Sequence, residues 1–264
     1  MKIAVTGKGG VGKTTISSLL CRLFIKEGFK VIAVDADPDA NLALALGFTL
    51  EQADQITPIA ELTELIQERT GTSGDTSGLI FKINPQVDDM VDKYGAAGEN
   101  LRLLTLGKIK PGKSGCFCPE GVFLKRLLHH VITKREELVI IDMEAGIEHL
   151  TRGTTSYVDA LIIVIEPGQK SFQTARTIKK LAHQLGLNKI FLVLNKVQRG
   201  HQIELSHENF PEDSFLGEIS FDQRMITADL TGKTIDLTDS LAAEMEIIKN
   251  NLRAVIQAES EEKA

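Results

Sequence analysis

The amino-acid sequence predicts an α/β fold in which a doubly wound, mostly parallel β-sheet is flanked by helices. Short runs of apolar and β-branched residues alternate along the chain with segments of helical periodicity, as buried parallel strands alternate with the helices that cover them. The chain has 264 residues, of which 42% are apolar and 25% charged, enough for one large packed domain. Because no stretch has the composition of an interdomain linker, we interpret residues 1–264 as a single domain.

The predicted strands share short, apolar and β-branched sequences. They are Ile3–Thr6, Val31–Val34, Leu101–Leu106, Leu138–Ile141, Leu161–Ile165 and Ile190–Leu194. Helices are predicted where apolar residues recur at helical spacing, first at Ile16, Leu19, Leu20, Leu23 and Phe24, and later at Ile178, Leu181 and Leu185. A last helix is expected from about Leu241 to Gln257.

Residues 49–98 are less regular and are interpreted as an insertion between two core strands. A helix is predicted within it at about Pro58–Arg69. The following glycine, serine and threonine residues of Gly71–Gly78 favour a loop.

Charge and composition disfavour several classes of partner. The net charge is -6 with a pI near 5.6, and the basic residues are scattered, so no nucleic-acid binding is expected. No apolar run reaches the roughly 18 residues that cross a bilayer, and the acidic end at Glu259–Ala264 would be repelled by anionic lipid, so no membrane binding is expected. The amino terminus lacks the pattern of a secretory signal, so a cytoplasmic protein is expected.

The strongest chemical signal is the motif Gly7-Lys-Gly-Gly-Val-Gly-Lys-Thr14, which lies between a predicted strand and a predicted helix. This Walker A pattern lets backbone N–H groups and a helix amino terminus surround phosphate oxygens. Lys13 is expected to contact the β- and γ-phosphates, and the Thr14 hydroxyl is expected to coordinate magnesium. The residues expected to bind the nucleotide are Gly9, Gly10, Val11, Gly12, Lys13, Thr14 and Thr15. A glycine-rich turn without a ligand is the alternative.

The early lysine of this motif is informative because Lys8-Gly-Gly-Val-Gly-Lys-Thr14 resembles a deviant Walker A loop. That loop is typical of the family that contains nitrogenase iron protein and the septum-site and chromosome-partition ATPases. The resemblance implies that Lys8 of one subunit reaches the phosphates of its partner, so that a homodimer sandwiches two ATP molecules. The alternative is that Lys8 is simply a solvated loop lysine.

Carboxylates follow two of the predicted strands, at the edge where parallel sheets bind ligands. By the same resemblance, Asp37 orients the attacking water and Asp35 supports the magnesium shell, whereas Asp39 could simply lie in a solvated turn. Val139-Ile-Ile-Asp142 has the pattern of a Walker B strand, so Asp142 is expected to hold magnesium through water. Gly146 would be the pivot of a second switch loop.

A later strand ends in Asn195-Lys-Val-Gln198, which resembles the base-recognition segment of P-loop hydrolases. It lacks the aspartate that would accept the two N–H donors of guanine, so ATP is favoured over GTP. Asn195 either hydrogen-bonds the adenine edge or caps the turn.

The loop at about residues 111–119 contains Gly115-Cys-Phe-Cys-Pro119. In an extended segment, Cys116 and Cys118 project from the same face and can bind one metal ion. Two thiolates do not complete a site, but a symmetry axis near the pair would bring two loops together as a four-thiolate site. The alternatives are two reduced thiols in a loop or a redox-labile pair. Cys21, on the apolar face of the first helix, is interpreted as a packing residue.

Two further segments, together with the deviant Walker A loop, make the resemblance specific to one group within the family. They are the Cys116-Phe-Cys118 pair and Asp142-Met-Glu-Ala-Gly-Ile-Glu-His149. Essentially the whole chain is similar to the nickel-insertion ATPases that mature anaerobic carbon monoxide dehydrogenase. The resemblance implies a nucleotide-controlled homodimer that hydrolyses ATP with Mg²⁺. It also implies that Ni²⁺ is bound between the paired cysteines and released to the dehydrogenase. Zn²⁺ would suit the same thiolates.

Other functions remain open from the residues alone. An iron–sulfur electron-transfer reductase would need cysteines that flank the Walker B region, and none occurs after Cys118, although a cluster on four paired thiolates is not excluded. A positional ATPase that binds membranes or DNA would use the same dimer cycle. Glu148, His149 and Arg152 could relay nucleotide state or make ordinary surface pairs.

Overall fold

The computed structural model describes residues 1–72, 82–108, 118–147, 150, 155–198, 200–210, 214–231, 234–235 and 239–261. Its strands are β1 (Lys2–Gly7), β2 (Val31–Asp35), β3 (Ala96–Gly98), β4 (Leu101–Thr105), β5 (Leu138–Asp142), β6 (Ala160–Ile165), β7 (Ile190–Val197) and β8 (Ser214–Ser220). Its α-helices are α1 (Lys13–Lys26), α2 (Leu42–Leu46), α3 (Leu50–Asp54), α4 (Thr63–Thr70), α5 (Met90–Tyr94), α6 (Pro119–Lys134), α7 (Gln169–Gln184), α8 (Gly200–Asn209), α9 (Gln223–Thr231) and α10 (Asp239–Glu261), and a 3₁₀ turn spans Ile59–Glu61.

The strands form one sheet in the order β3-β4-β2-β5-β1-β6-β7-β8. All neighbouring strands pair in parallel except β3 with β4, which are antiparallel. The central strands β1, β2, β5 and β6 are buried along their whole length, because helices cover both faces of the sheet. The predicted doubly wound α/β fold is therefore confirmed.

Two apolar cores lie on opposite faces of the sheet. On one face, α6 and α7 contribute Phe123, Leu127, Phe172 and Ile178. On the other face, α1 and α10 pack together through residues such as Phe24 and Ile248. Because the strands run parallel, the loops that follow them lie together at one edge of the sheet.

Three details differ from the sequence-based expectations. The sequence did not predict the two edge strands, β3 and β8. Strand β3 has only three residues, and β8 contains Gly217. A Cβ at Gly217 would lie only 2.7 Å from Ile248 Cγ1 in α10. Glycine at this position interrupts the apolar pattern typical of a strand, but it lets α10 pack closely against β8. Leu181 is 39% exposed, because the buried face of α7 is formed instead by residues 171, 172, 175, 178 and 182.

The predicted insertion contributes to the core. Ile59, Ile66 and Met90 are buried in the same apolar cluster as α6, and the predicted helix is divided into the 3₁₀ turn and α4. Most of the loop predicted at Gly71–Gly78 lies outside the described residues. Within the described part of the chain, no helix is both long and apolar enough to cross a membrane.

Candidate functional site: a phosphate loop at the carboxyl edge of the sheet

The loop between β1 and α1 has the geometry of an anion-binding site. Gly10 and Gly12 have φ angles of 80° and 96°, a backbone region that glycine enters at low cost. Gly12 is the N-cap of α1, and no side chain caps this end of the helix. The first N–H groups of α1 therefore remain available to phosphate oxygens, and the helix dipole favours negative charge there.

Asn195, at the end of β7, braces this loop. Its side-chain Nδ2 donates to the Val11 carbonyl at 2.7 Å, and its Oδ1 accepts from the Lys196 backbone N–H at 2.9 Å. A Cβ added to Gly12 would lie 2.3 Å from Nδ2, so only glycine leaves room for this contact. The contact with Val11 belongs to neither of the two roles expected for Asn195, and the side chain also borders the cavity beside the loop.

Asp142, the last residue of β5, accepts hydrogen bonds from two hydroxyls of α1. Thr14 Oγ1 donates to Oδ2 at 2.6 Å, and Ser17 Oγ donates to Oδ1 at 3.1 Å. Because Thr14 donates its proton to Asp142, its oxygen lone pairs remain free for a cation. Burial raises the pKa of Asp142 to about 6, although both hydrogen bonds act in the opposite direction.

Asp35 faces Asp142 directly across the pairing of β2 with β5. Its carboxylate accepts backbone N–H groups from Asp37 at 3.2 Å and Leu42 at 2.9 Å, which folds the loop that follows β2. Burial raises the pKa of Asp35 to about 7, and the nearby Asp142 carboxylate adds to the shift. Asp37 is half-buried in this loop, and Asp39 is exposed, as the solvated-turn interpretation expects.

The two lysines of the loop have different surroundings. Lys13 is buried, with 7% of its surface exposed, and lines the cavity beside the loop. The Lys8 side chain is 36% exposed, and its Nζ lies 3.7 Å from Oε1 of Glu166, the residue that follows β6. Within one subunit, Lys8 is thus directed at a carboxylate while Lys13 faces the phosphate site.

A cavity of about 410 Å³ adjoins the loop, a volume suited to a small-molecule ligand. Its lining includes residues 10 and 12–15 of the phosphate loop and the start of α1. It also includes apolar residues, among them Leu44 of α2 and Met225 of α9. A lining that combines phosphate-binding groups with apolar surface fits a nucleotide.

The residues at this edge also fit a hydrated divalent cation. The Thr14 hydroxyl and the Asp142 and Asp35 carboxylates converge there, and Mg²⁺ in phosphate sites usually takes one or two such protein ligands together with waters. Burial disfavours the charged form of both carboxylates and outweighs the hydrogen bonds that they accept, so a cation would stabilise their ionised forms further.

Comparisons with known proteins agree with this geometry. The family model for the CobQ/CobB/MinD/ParA nucleotide binding domain, called CbiA, matches residues 2–235. The chain belongs to this family. It is an ATPase, and the family binds its nucleotide with Mg²⁺.

Two relatives and one solved structure illustrate the similarity. An uncharacterized ATP-binding protein of Methanocaldococcus jannaschii is 49% identical over 95% of this chain and 96% of its own. The carbon monoxide dehydrogenase accessory protein CooC of Rhodospirillum rubrum is 47% identical over 88% of each chain. The septum site-determining protein MinD of Pyrococcus horikoshii, complexed with Mg-ADP, has a TM-score of 0.65 at 20% identity, covering 95% of this chain and 94% of its own, which shows the shared fold.

Of the two cysteines in the pair, the structure describes Cys118 only. Cys118 is the N-cap of α6, and its Sγ accepts the Gly121 backbone N–H at 3.3 Å. Partial burial raises the pKa of the Cys118 thiol. Cys116, Glu148, His149 and Arg152 lie outside the described residues, whereas Cys21 is fully buried in α1.

Three residues that support the site are not indicated by the sequence motifs. Ser17 lies one helical turn after Thr14, a spacing that could have indicated it. Thr6 Oγ1 lies 2.8 Å from the Glu144 carbonyl oxygen and 3.0 Å from that of Gly146, which ties β1 to the segment after β5. Arg22 donates to the Ile235 carbonyl at 2.6 Å and so fixes a wall of the cavity. No local pattern identifies Thr6 or Arg22, because their partners are distant in sequence.

Proposed function

We propose that this ATPase is a nickel metallochaperone for anaerobic carbon monoxide dehydrogenase. Two subunits would close over two ATP molecules and bind one Ni²⁺, or Zn²⁺ in its place, with Cys116 and Cys118 of each subunit. ATP hydrolysis would control release of the metal to the dehydrogenase. The proposal is supported by 47% identity over 88% of the chain to CooC, a carbon monoxide dehydrogenase accessory protein.

The observation that carries the proposal is the position of Cys118. It begins α6, the helix that precedes β5, and β5 ends at Asp142 beside the phosphate loop. Because α6 connects to a strand parallel to β4, its amino-terminal end lies at the same edge of the sheet as the nucleotide cavity. A metal ion on this cysteine would thus share an edge with the nucleotide.

The roles of the site residues follow from their positions. Lys13 and the α1 amino terminus would bind the phosphates, and Asn195 would keep the loop in its binding conformation. Asp37 would orient the attacking water, and Lys8 of the partner subunit would neutralise charge on the transferred phosphoryl group. Mg²⁺, held by Thr14 and by Asp142 and Asp35 through water, would supply electrostatic stabilisation of the phosphates.

Coupling between nucleotide and metal would follow from closure of the dimer. If the symmetry axis passes near the cysteine loops, any rotation of the subunits changes the distances among four sulfurs. Thiolate ligation of nickel or zinc depends on these distances, so nucleotide state would alter metal affinity.

Equilibrium dialysis with Ni²⁺ under reducing conditions tests the metal site directly. Wild type, Cys116→Ser/Cys118→Ser and the matched control Cys21→Ala are compared without nucleotide, with ADP and with a non-hydrolysable ATP analogue. We expect about one nickel per dimer in wild type and Cys21→Ala, loss in the double variant, and a change in affinity with nucleotide. Nickel binding that does not depend on Cys116 and Cys118 would contradict the proposal.

The alternative functions give different results. Iron and acid-labile sulfide in anaerobically purified protein would indicate an electron-transfer reductase. ATP-dependent co-sedimentation with lipid vesicles or DNA at physiological salt would indicate a positional ATPase. We expect neither. Partnership with the dehydrogenase is tested by activating the nickel-free enzyme with the nickel-loaded chaperone and ATP, using the double cysteine variant as the control.

A further inference from the structure

Glu166 lies between two lysines at the edge of the phosphate loop. Its Oε1 is 3.7 Å from Lys8 Nζ, and its Oε2 is 3.7 Å from Lys196 Nζ. The ammonium of Lys196 also donates to the carbonyl oxygen of Gly10 within the loop. One carboxylate thus links the lysine of the deviant motif with a second cation that touches the same loop.

The backbone holds this carboxylate in place. Glu166 directly follows β6, and its N–H donates to the hydroxyl of Ser171 at 3.1 Å. Ser171 is buried in the first turn of α7, so this anchor belongs to the packed core. On the opposite side, Lys196 has a φ of 59°, an uncommon conformation for a residue with a side chain. Such backbone conformations persist where the surrounding contacts require them.

The pair formed by Lys8 and Glu166 is weak enough to be exchanged. Both side chains are about one-third exposed, at 36% and 31%, and their charged atoms are 3.7 Å apart. Partly exposed ion pairs of this kind contribute little to stability and are screened by salt. A triphosphate carries more charge than one carboxylate, so it would compete effectively for the same ammonium group.

We propose that Glu166 is a positioning residue that holds Lys8 in the separate subunit and releases it when the nucleotide-bound dimer forms. The proposal rests on the role of Lys8 across the dimer interface described above. Lys196 remains paired with Glu166 after the exchange, so the carboxylate keeps one cation while it gives up the other. Glu166 therefore opposes closure until phosphate charge from a partner subunit replaces it.

The first test detects the contact between Lys8 and Glu166 by chemical cross-linking, without nucleotide and with it. A zero-length carbodiimide converts a lysine and a carboxylate in direct contact into an amide with loss of water, and peptide mass spectrometry identifies the product. We expect Lys8–Glu166 and Lys196–Glu166 amides in nucleotide-free protein. A non-hydrolysable ATP analogue with Mg²⁺ should reduce the first product at least about fivefold and leave the second. Absence of the Lys8–Glu166 amide without nucleotide, or an undiminished yield with it, would overturn the proposal.

The second test measures dimerisation by sedimentation velocity at low salt with the same analogue. Glu166→Gln should tighten the dimer about three- to fivefold, since it removes the competing carboxylate. Lys8→Met/Glu166→Gln should fail to dimerise, as Lys8→Met alone does, and the effect of Glu166→Gln should shrink at high salt. Glu218→Gln is the matched control, because Glu218 has a similar exposure of 33% and pairs with His207 away from the loop.

The two proposals fail in different ways. If the analogue dimerises wild type and Lys8→Met abolishes this, but Glu166→Gln behaves like wild type or weaker, the role of Glu166 is wrong and that of Lys8 stands. If wild type does not dimerise with nucleotide, the proposed dimer is wrong, and an undiminished Lys8–Glu166 amide would overturn the exchange as well.

Discussion

The hydroxyl of Thr14 donates a 2.6 Å hydrogen bond to the carboxylate of Asp142, and this contact joins the phosphate loop to the strand β5. The two residues are 128 positions apart in the chain. They meet because β1 and β5 are neighbours in the sheet and the helix after β1 begins at their common edge. The contact orients the Thr14 oxygen so that its lone pairs can bind a cation.

Replacing Thr14 by valine should abolish magnesium-dependent turnover. Valine keeps the size and branching of threonine but has no oxygen for the cation and leaves a buried acceptor on Asp142 without its donor. We expect ATP hydrolysis to fall by about 100-fold or more, while Thr14→Ser retains most of it. Steady-state phosphate release at varied Mg²⁺ measures this, and a similar loss in the serine variant would show that packing matters instead of the hydroxyl.

Replacing Asn195 by alanine should weaken the phosphate loop. The Val11 carbonyl would lose its donor, so the loop would no longer be held in its binding conformation. We expect the dissociation constants for ATP, ADP and GTP to rise together by about tenfold, the cost of roughly one hydrogen bond to a buried group. Fluorescent nucleotide titration measures all three. A loss confined to adenine nucleotides would instead assign Asn195 to base recognition.

Replacing Lys8 by alanine should separate binding from turnover. Lys8 does not line the cavity of its own subunit, so ATP affinity should change less than about threefold. Dimerisation with ATP and hydrolysis should both be lost if Lys8 reaches the partner's phosphates. Isothermal titration, sedimentation and phosphate release distinguish these effects, and a variant that still dimerises and hydrolyses ATP would refute the trans role.

Replacing Asp89 by asparagine should destabilise the segment around α4 and α5. Arg69 Nη2 donates to Asp89 Oδ2 at 2.8 Å, and Arg69 also donates to the Gln86 carbonyl, so Arg69 ties the end of α4 to the start of α5. We expect a loss of about 0.5–1 kcal/mol in urea unfolding, as is typical of a partly exposed pair with bidentate geometry. The exposed neighbour variant Asp88→Asn is the control and should have little effect.

The same pair predicts a pH dependence. The hydrogen bonds from Arg69 lower the pKa of Asp89 in the folded state, so folding favours its ionised form. Its contribution is therefore complete above the carboxyl pKa of the unfolded chain, near 3.8, and is lost as the pH falls through the lower folded value. The difference between wild type and Asp89→Asn should be constant from pH 5 to about pH 8 and shrink below about pH 4. A difference that grew on acidification would contradict this origin.

Local sequence was sufficient for the six buried strands and the phosphate loop, because both depend on near neighbours. A buried parallel strand requires a continuous apolar run, and the Walker A loop requires glycines at fixed spacing. The edge strands β3 and β8 carry weaker signals, since one is three residues long and the other contains Gly217. The exposure of Leu181 was likewise undetermined, because helical spacing alone does not fix which of two adjacent stripes faces the sheet.

The sequence by itself determined the fold class, the phosphate chemistry and the two-residue spacing of Cys116 and Cys118. Each of these depends on residues that are close together in the chain. The tertiary structure decided that Asn195 braces Val11, that Ser17 supports Asp142, and that Glu166 pairs with both Lys8 and Lys196. These contacts join residues at the carboxyl ends of different strands with the phosphate loop and α1, and only the strand order of the sheet brings them together.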